Sequence, residues 1–418
     1  MSAEQPQAFT LECGATLAVE QMPGTRSCAV SWLLPVGTAG DSNQCEGEST
    51  VLAELIFRGA GNHSSRELSD LFDALGVQRQ GNAAINHLTL GALCLGDRLE
   101  ALLRLLTLVV RQPRLEEASL DAVRSLALQS LDALHDDAQH LSSIKLREFA
   151  MPAPFNRSGY GTRPGLEGLT KCSMSAAWER RAKPTGTIIG IAGDVHPQRT
   201  CDLLNELFSG WKGSVSQPVE CSPAVRGTHS VEVETQQTHL ALGFPAPTDS
   251  HPSAYAHRVA IRVLGGAASS RLFTEVREKR GLCYSVGASS SLGKERGLVQ
   301  VYAGSTHERA ATTLDCILTE LARFEGGITQ EEFDHALVGT KSALVMSGES
   351  TSARAMAIAS GVYLRGRPES LDEVAAEFDR LSLRGVNEVI ARDLGATWRQ
   401  QMTLVSVAPA LTAQAQSG

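Results

Sequence analysis

Apolar and polar positions alternate along two stretches in the first half of the chain and two in the second. Ser27 to Gly37 (SCAVSWLLPVG) reads as a strand running into a Pro/Gly turn, and Gln237 to Pro247 (QTHLALGFPAP) repeats it 210 positions on. His87 to Leu95 (HLTLGALCL) and Gly297 to Ser305 (GLVQVYAGS) form a second pair with the same displacement. Period-two alternation of this kind predicts strands with one buried face.

Behind each second strand the period becomes helical. Asp97 to Val110 carries Leu at helical spacing, and Glu308 to Phe324 matches it in place; Glu116 to Leu134 and Gln330 to Leu344 follow as a second helix in each half. Thr329 and Glu332 have the spacing of a capping box, which satisfies backbone donors at a helix start. A Ser-Ser-Arg tripeptide opens a helix in each half, at Ser64-Ser65-Arg66 and Ser269-Ser270-Arg271. Thr187 to Asp194 reads as a strand ending in a turn, followed by an amphipathic helix from Pro197 to Phe208. Gly213 to Gly227 is rich in Gly, Pro, Ser and Val without periodicity and reads as a linker. The repeat predicts an α+β protein of two homologous domains, 1–212 and 228–418, each an antiparallel-rich sheet packed with helices and joined by the linker 213–227. A cleft between two such halves is the natural ligand site.

A chain of 418 residues is too long for one ordinary core, which agrees with two domains. The net charge of −8 argues against nucleic acid as a partner, because phosphate contacts need clustered Lys and Arg. Met1 to Leu11 has no apolar run of the signal-peptide kind, and no stretch of about 18 apolar residues predicts a membrane span. The nine cysteines are dispersed and odd in number, which suits free thiols in a reducing compartment and implies a cytoplasmic location. Phosphate loops, dinucleotide fingerprints, nucleophile elbows and H-E-x-x-H are all missing. Gly265-Gly266 reads as a plain turn. His135, Asp136, Asp137 and His140 gather metal-capable side chains at a helix end, where a solvated terminus is the better reading.

Gly47 to Gly59 (GESTVLAELIFRG) resembles the active-site helix of the pitrilysin-type zinc peptidases, the inverzincins, whose nearest branch is the mitochondrial processing peptidases and their bacterial relatives. That helix reads G-x-x-H-x-x-E-H-x-x-F-[KR]-G, with two His on one helical face for zinc and a Glu as general base. Anchored on Phe57-Arg58-Gly59, the His positions hold Thr50 and Glu54, and the base position holds Ala53. The third ligand, a Glu on a later helix, falls on Ser130 by the family's spacing. The resemblance implies a degenerate zinc site that binds no metal in this chain.

The resemblance extends through Gly161-Thr162, Gly168-Leu169-Thr170 and the segment from Thr187 to Trp211, and is strongest in the second half. Val263-Leu264-Gly265-Gly266, Ser269-Ser270-Arg271-Leu272-Phe273 and Val276 to Val286 (VREKRGLCYSV) follow the family's L-G-G-x-x-S-S-R-L-f-x-x-l-R-E-k-x-g-l-x-Y-s-V run. Within it Arg277 and Tyr284 occupy the Arg and Tyr that the family places over the substrate carbonyl. Both side chains donate hydrogen bonds, as an oxyanion requires; the bland alternative is a solvated helix charge and a strand core residue. The resemblance implies half of a clamshell: a zinc-less subunit that handles peptides together with a homologous, zinc-bearing subunit. The alternative is a structural or binding subunit without proteolytic role, like the core subunits of respiratory complexes that share the fold.

Overall fold

The computed structural model describes residues 5–216, 218–395 and 397–409; part of the N-terminal stretch read above and Gln217 of the linker lie outside the described residues. The described residues fall into two compact α+β units.

The first unit comprises the described part of 1–132 with Gly159–Cys221 and Val345–Glu373. Its six-stranded sheet is built from β1 (Gln7–Thr10), β2 (Thr16–Gln21), β3 (Ser27–Leu34), β6 (Gln78–Ala83), β7 (Leu88–Leu95) and β8 (Ile188–Gly193), while β4 (Gly59–Ala60) and β5 (His63–Ser64) make a separate small hairpin. The strand order is β1-β2-β8-β3-β7-β6, with β2 and β8 parallel and every other pair antiparallel. The second unit comprises Ala133–Ser158, Ser222–Leu344 and the described part of 374–418. Its sheet holds β9 (Gly227–Glu232), β10 (Thr238–Ala246), β11 (Ser285–Leu292), β12 (Gly297–Ser305) and β13 (Thr403–Ala408), in the order β11-β12-β10-β13-β9. Here the parallel pair is β9 and β13. Read from the opposite edge, this is the first sheet without β1, so the repeat seen in the sequence is a repeat of topology.

The expectation of one buried face holds for β7, where burial alternates along the strand, and fails for β3 and β10. Both are buried almost throughout because a helix covers the second face. In the first unit this is the helix Thr351–Arg365, whose Ala355 and Ala359 pack with Ala29, Leu33, Ile188 and Ala192. In the second it is the helix Ala138–Ala150, whose Leu141 and Leu146 pack with Ala241, Val405 and Val407. Thus each unit takes one helix from the other half of the sequence, and the compact units cut across the division at 213–227. Close approach explains two glycines: a Cβ on Gly190 would lie 2.2 Å from the Ala355 carbonyl oxygen, and one on Gly243 would lie 2.9 Å from Leu146. Arg354 of the covering helix reaches the buried Glu20 of β2, Nη2 to Oε2 at 2.7 Å. A buried pair broken on one side destabilises by about 3–5 kcal/mol, so this contact fixes where the helix lies.

The predicted helices are present at Leu99–Arg111, Glu117–Ala133, Ala310–Phe324 and Gln330–Gly348. The capping box is made: Thr329 N donates to Glu332 Oε2 at 2.8 Å and Glu332 N to Thr329 Oγ1 at 3.3 Å. Asp137 caps Ala138–Ala150 by accepting from His140 N at 2.9 Å, which gives the His/Asp cluster its role at a helix start. No helix among the described residues is long and apolar enough to cross a membrane, and all nine cysteines are free thiols.

His257, on the helix Ala254–Gly265, is fully buried and neither ring nitrogen has a hydrogen-bond partner among the described residues. Burial pulls its pKa from 6.5 to about 4, with Asp393 opposing and Arg258 reinforcing the shift. As pH falls from 6.5 towards 4 the unfolded chain takes up this proton before the folded one, so stability drops across that window. A shift of this size is worth about 3 kcal/mol when complete. Urea unfolding at a series of pH values is expected to show a shallower acid loss for His257→Leu than for the parent; equal slopes would show that another group is responsible.

Candidate functional site

The helix Glu48–Leu55 starts from Gly47, whose φ of 117° only glycine adopts easily. A buried polar network pins this start. Asp41 accepts from Gly47 N at 3.0 Å, Ser49 N at 3.2 Å and the Ser49 hydroxyl. Arg181, from the helix Lys171–Arg181, donates Nη1 to Asp41 Oδ1 at 3.0 Å and Nη2 to Ser49 Oγ at 3.0 Å and to the Gly37 carbonyl. Burial pushes the Glu48 carboxyl up and the nearby Asp41 pushes it further, while Arg181 and Arg180 oppose. The scaffold that would present a metal-binding helix face is therefore intact.

The donors on that face are not. Thr50 spends its hydroxyl on the Gly159 carbonyl at 2.5 Å, Ala53 is buried, and Glu54 is paired with Arg58 at 2.5 Å. Beside Glu54, the Arg79 guanidinium sits over the rings of Phe57 and Phe72 at 4.6 and 4.8 Å; burial lowers its pKa and Glu54 opposes the shift. Ser130 is exposed on the helix Glu117–Ala133 and bonds back to Leu126 O at 2.9 Å. Among the described residues no hydrogen bond or ion pair joins Ser130 to Thr50, Ala53 or Glu54. Both helices border the segment 159–169, through Thr50 to Gly159, Arg163 to Asp132, and Arg124 Nη1 to Leu169 O at 2.8 Å. Zinc takes three protein ligands from His, Cys or carboxylate. One carboxylate already held by Arg58 does not supply them, and the described residues contain no group of three such side chains placed for a metal.

The second-half pair is brought together. Leu272 and Val276 are fully buried and anchor a π-helical turn, Phe273–Glu278, that carries Phe273 and Arg277 outward. Gly281, at φ 60°, ends the turn; Gly281 N donates to Arg277 O at 3.0 Å and Leu282 N to Val276 O at 3.0 Å. Arg309 braces the loop by donating Nη1 to Gly281 O at 2.6 Å. Tyr284 N is fixed to Gly304 O at 3.1 Å just before β11. Alternation then buries Cys283 and turns Tyr284 out, 77% exposed, so Tyr284 is no core residue. The Arg277 guanidinium lies 4.7 Å from the Phe273 ring centre and 5.5 Å from that of Tyr284, a cation–π bridge that aligns both side chains. Neither Arg277 nor Tyr284 makes a side-chain hydrogen bond among the described residues, so their donors are free for a ligand. Arg271 of the same run is spent structurally, on Glu332 at 2.5 and 2.7 Å and on Gly327 O at 2.8 Å. Sequence reasoning passed over Phe273 as the platform under Arg277; its place four residues before Arg277 was the available signal.

Residues 16–160 match the family model described as Insulinase (Peptidase family M16), and residues 169–338 match the one described as Peptidase M16 inactive domain. Between them the two models cover most of the chain. A protein of Bacillus subtilis named an uncharacterized zinc protease is 26% identical over 397 residues, covering 92% of this chain and 95% of its own length. One of the same description from Mycobacterium tuberculosis is 26% identical over 398 residues, with 93% and 90% covered. Among solved structures, a peptidase M16 inactive domain from Pseudomonas fluorescens superposes with a TM-score of 0.87 at 19% identity, covering 97% of this chain and 98% of that one. A protease from Helicobacter pylori gives 0.86 at 20% identity, with 97% and 99% covered. These likenesses extend over both units.

Proposed function

We propose that this chain, which belongs to the M16 peptidase family, is the zinc-less subunit of a two-subunit peptidase, working with a zinc-bearing homologue on peptide substrates. The observation that carries the proposal is the pairing of an emptied donor set on Glu48–Leu55 with unspent, aligned donors on Arg277 and Tyr284. The partner supplies the metal, and no step of the reaction runs through a metal on this chain. Arg277 and Tyr284 hold the peptide carbonyl and donate hydrogen bonds to the oxygen as negative charge builds on it. A guanidinium and a phenol suit that task because they present fixed donors and no competing acceptor charge. Free thiols and the sequence features above favour the cytoplasm as the place of action.

The purified chain is expected to be inert on peptides and to hold no stoichiometric zinc after dialysis. Mixed with an M16 homologue carrying an intact H-x-x-E-H, it is expected to form a one-to-one complex that cleaves peptides. About one tightly held zinc per chain, or cleavage by the chain alone, overturns the reading. A stable complex with no activity on any of a broad peptide mixture would favour the structural or binding subunit.

A further inference from the structure

A pocket of about 270 Å³ opens in the first unit where four segments meet. They are the turn 35–40 after β3, the β6–β7 turn at Asn86, the end of the helix Lys171–Arg181, and the linker at Ser214 and Ser216. Two glycines let the wall close: a Cβ on Gly37 would lie 2.2 Å from the Asn86 carbonyl carbon, and one on Gly40 would lie 2.8 Å from Arg181 Nη2. The lining holds two arginines, Arg180 and Arg181, and no carboxylate. Arg181 is spent on Asp41, Ser49 and the Gly37 carbonyl. Arg180 is not. Its acidic neighbour among the described residues is Glu48, Nη2 to Oε2 at 3.7 Å, beyond hydrogen-bond reach. Burial pushes the Glu48 carboxyl up, which weakens that counter-charge. The Asn86 amide and the Ser214 and Ser216 hydroxyls make no hydrogen bond among the described residues.

A guanidinium with unspent donors, neutral donors beside it and no acid on the wall together select an oxyanion. A phosphate presents its terminal oxygens in a tetrahedral array, so donors carried by separate segments can each meet one. A carboxylate's two coplanar oxygens suit a single fork instead. The volume is about nine times the ~30 Å³ share of one water, which leaves room for an organic body besides the phosphate. We propose that this pocket binds a small phosphate ester, with Arg180 as the charged donor and Asn86, Ser214 and Ser216 completing its hydrogen bonds. Ser214 and Ser216 belong to the linker, so the bound ester ties the linker's first residues to the first unit. None of these four residues takes part in the peptide chemistry proposed above.

The test is calorimetric titration of the full chain, without a partner, in a chloride buffer of constant ionic strength. The probes are glycerol 3-phosphate, inorganic phosphate, and acetate as the carboxylate control. Glycerol 3-phosphate is expected to bind in the millimolar range, at least as tightly as inorganic phosphate and about tenfold more tightly than acetate. Arg180→Gln is expected to weaken it about tenfold, and Arg180→Lys less, because charge is kept without the planar fork. Arg199→Gln, at an exposed arginine paired with Glu100, is expected to leave binding unchanged. Should Arg180→Gln not fold, the double variant Ser214→Ala, Ser216→Ala, at two exposed positions, is expected to weaken the ester about tenfold. No binding at millimolar ester, equal binding of acetate, or exclusion of the ester while inorganic phosphate binds overturns the proposal. So does an affinity that survives the Arg180 and serine substitutions, or one that Arg199→Gln lowers as much.

Discussion

In a complex with a zinc-bearing homologue, Tyr284→Phe is expected to lower turnover of a peptide about a hundredfold, the usual cost of one oxyanion donor. The substitution is a clean one. Phenylalanine keeps the ring beside the Arg277 guanidinium, so the cation–π bridge at 5.5 Å survives and only the hydroxyl is lost. With no hydrogen bond to that hydroxyl within the described residues, no part of the fold depends on it. Arg277→Ala is expected to cost more, because it removes two or more donors and also the group that contacts the rings of both Phe273 and Tyr284. Arg277→Lys should fall between, retaining charge without the planar fork. If the donors act on charge that develops only in the transition state, kcat falls while KM changes little. Stopped assays with the assembled complex, checked for one-to-one assembly by size, read both numbers. Normal assembly with wild-type rates for both variants would make the pair structural.

The sequence carried the architecture through local pattern and lost it where distant segments meet. Strands β3, β7, β10 and β12 were legible from alternation, and the capping box at Thr329 and Glu332 from spacing alone. The exchange of the helices 138–150 and 351–365 was not legible, since a helical apolar face records that it is buried and not by which sheet. The same limit hid Arg354 with Glu20, 334 positions apart, and Arg181 with Asp41, 140 apart. At the site, the Arg277 and Tyr284 positions came from a motif, whereas their exposure and the contact of Arg277 with the rings of both Phe273 and Tyr284 needed the π-helical turn. Thr50, Ala53 and Glu54 were correctly grouped on one helix, because spacing of three and four fixes that geometry. Ser130 came from a count along the chain, and no hydrogen bond or ion pair among the described residues ties it to Thr50, Ala53 or Glu54.

Restoring the lost donors tests whether the ancestral metal site was placed correctly. The variant Thr50→His, Ala53→Glu, Glu54→His, Ser130→Glu is expected to bind about one zinc per chain, with three protein ligands and an open position. The helix start is held by Asp41, Ser49 and Arg181, none of which is altered, so the two new His side chains inherit a fixed helix. Two local costs are foreseeable. Thr50→His gives up the hydrogen bond to Gly159 O, and Glu54→His frees Arg58. Ala53 is 4% exposed, with its carbonyl packed close to Gly81, so a glutamate there has little room. The three-ligand variant without the Ala53 change therefore serves as the folding-safe control, since the base is not a ligand. Zinc at a hundredfold excess over its Kd would raise stability by about 2.7 kcal/mol, measurable as a shift in urea midpoint. Hydrolysis should stay weak, because the side chains that would orient the new ligands are missing. A folded control variant with the parent's helical signal and no zinc would mean that Ser130 does not face Thr50 and Glu54, and that the third ligand position lies elsewhere on the helix Glu117–Ala133.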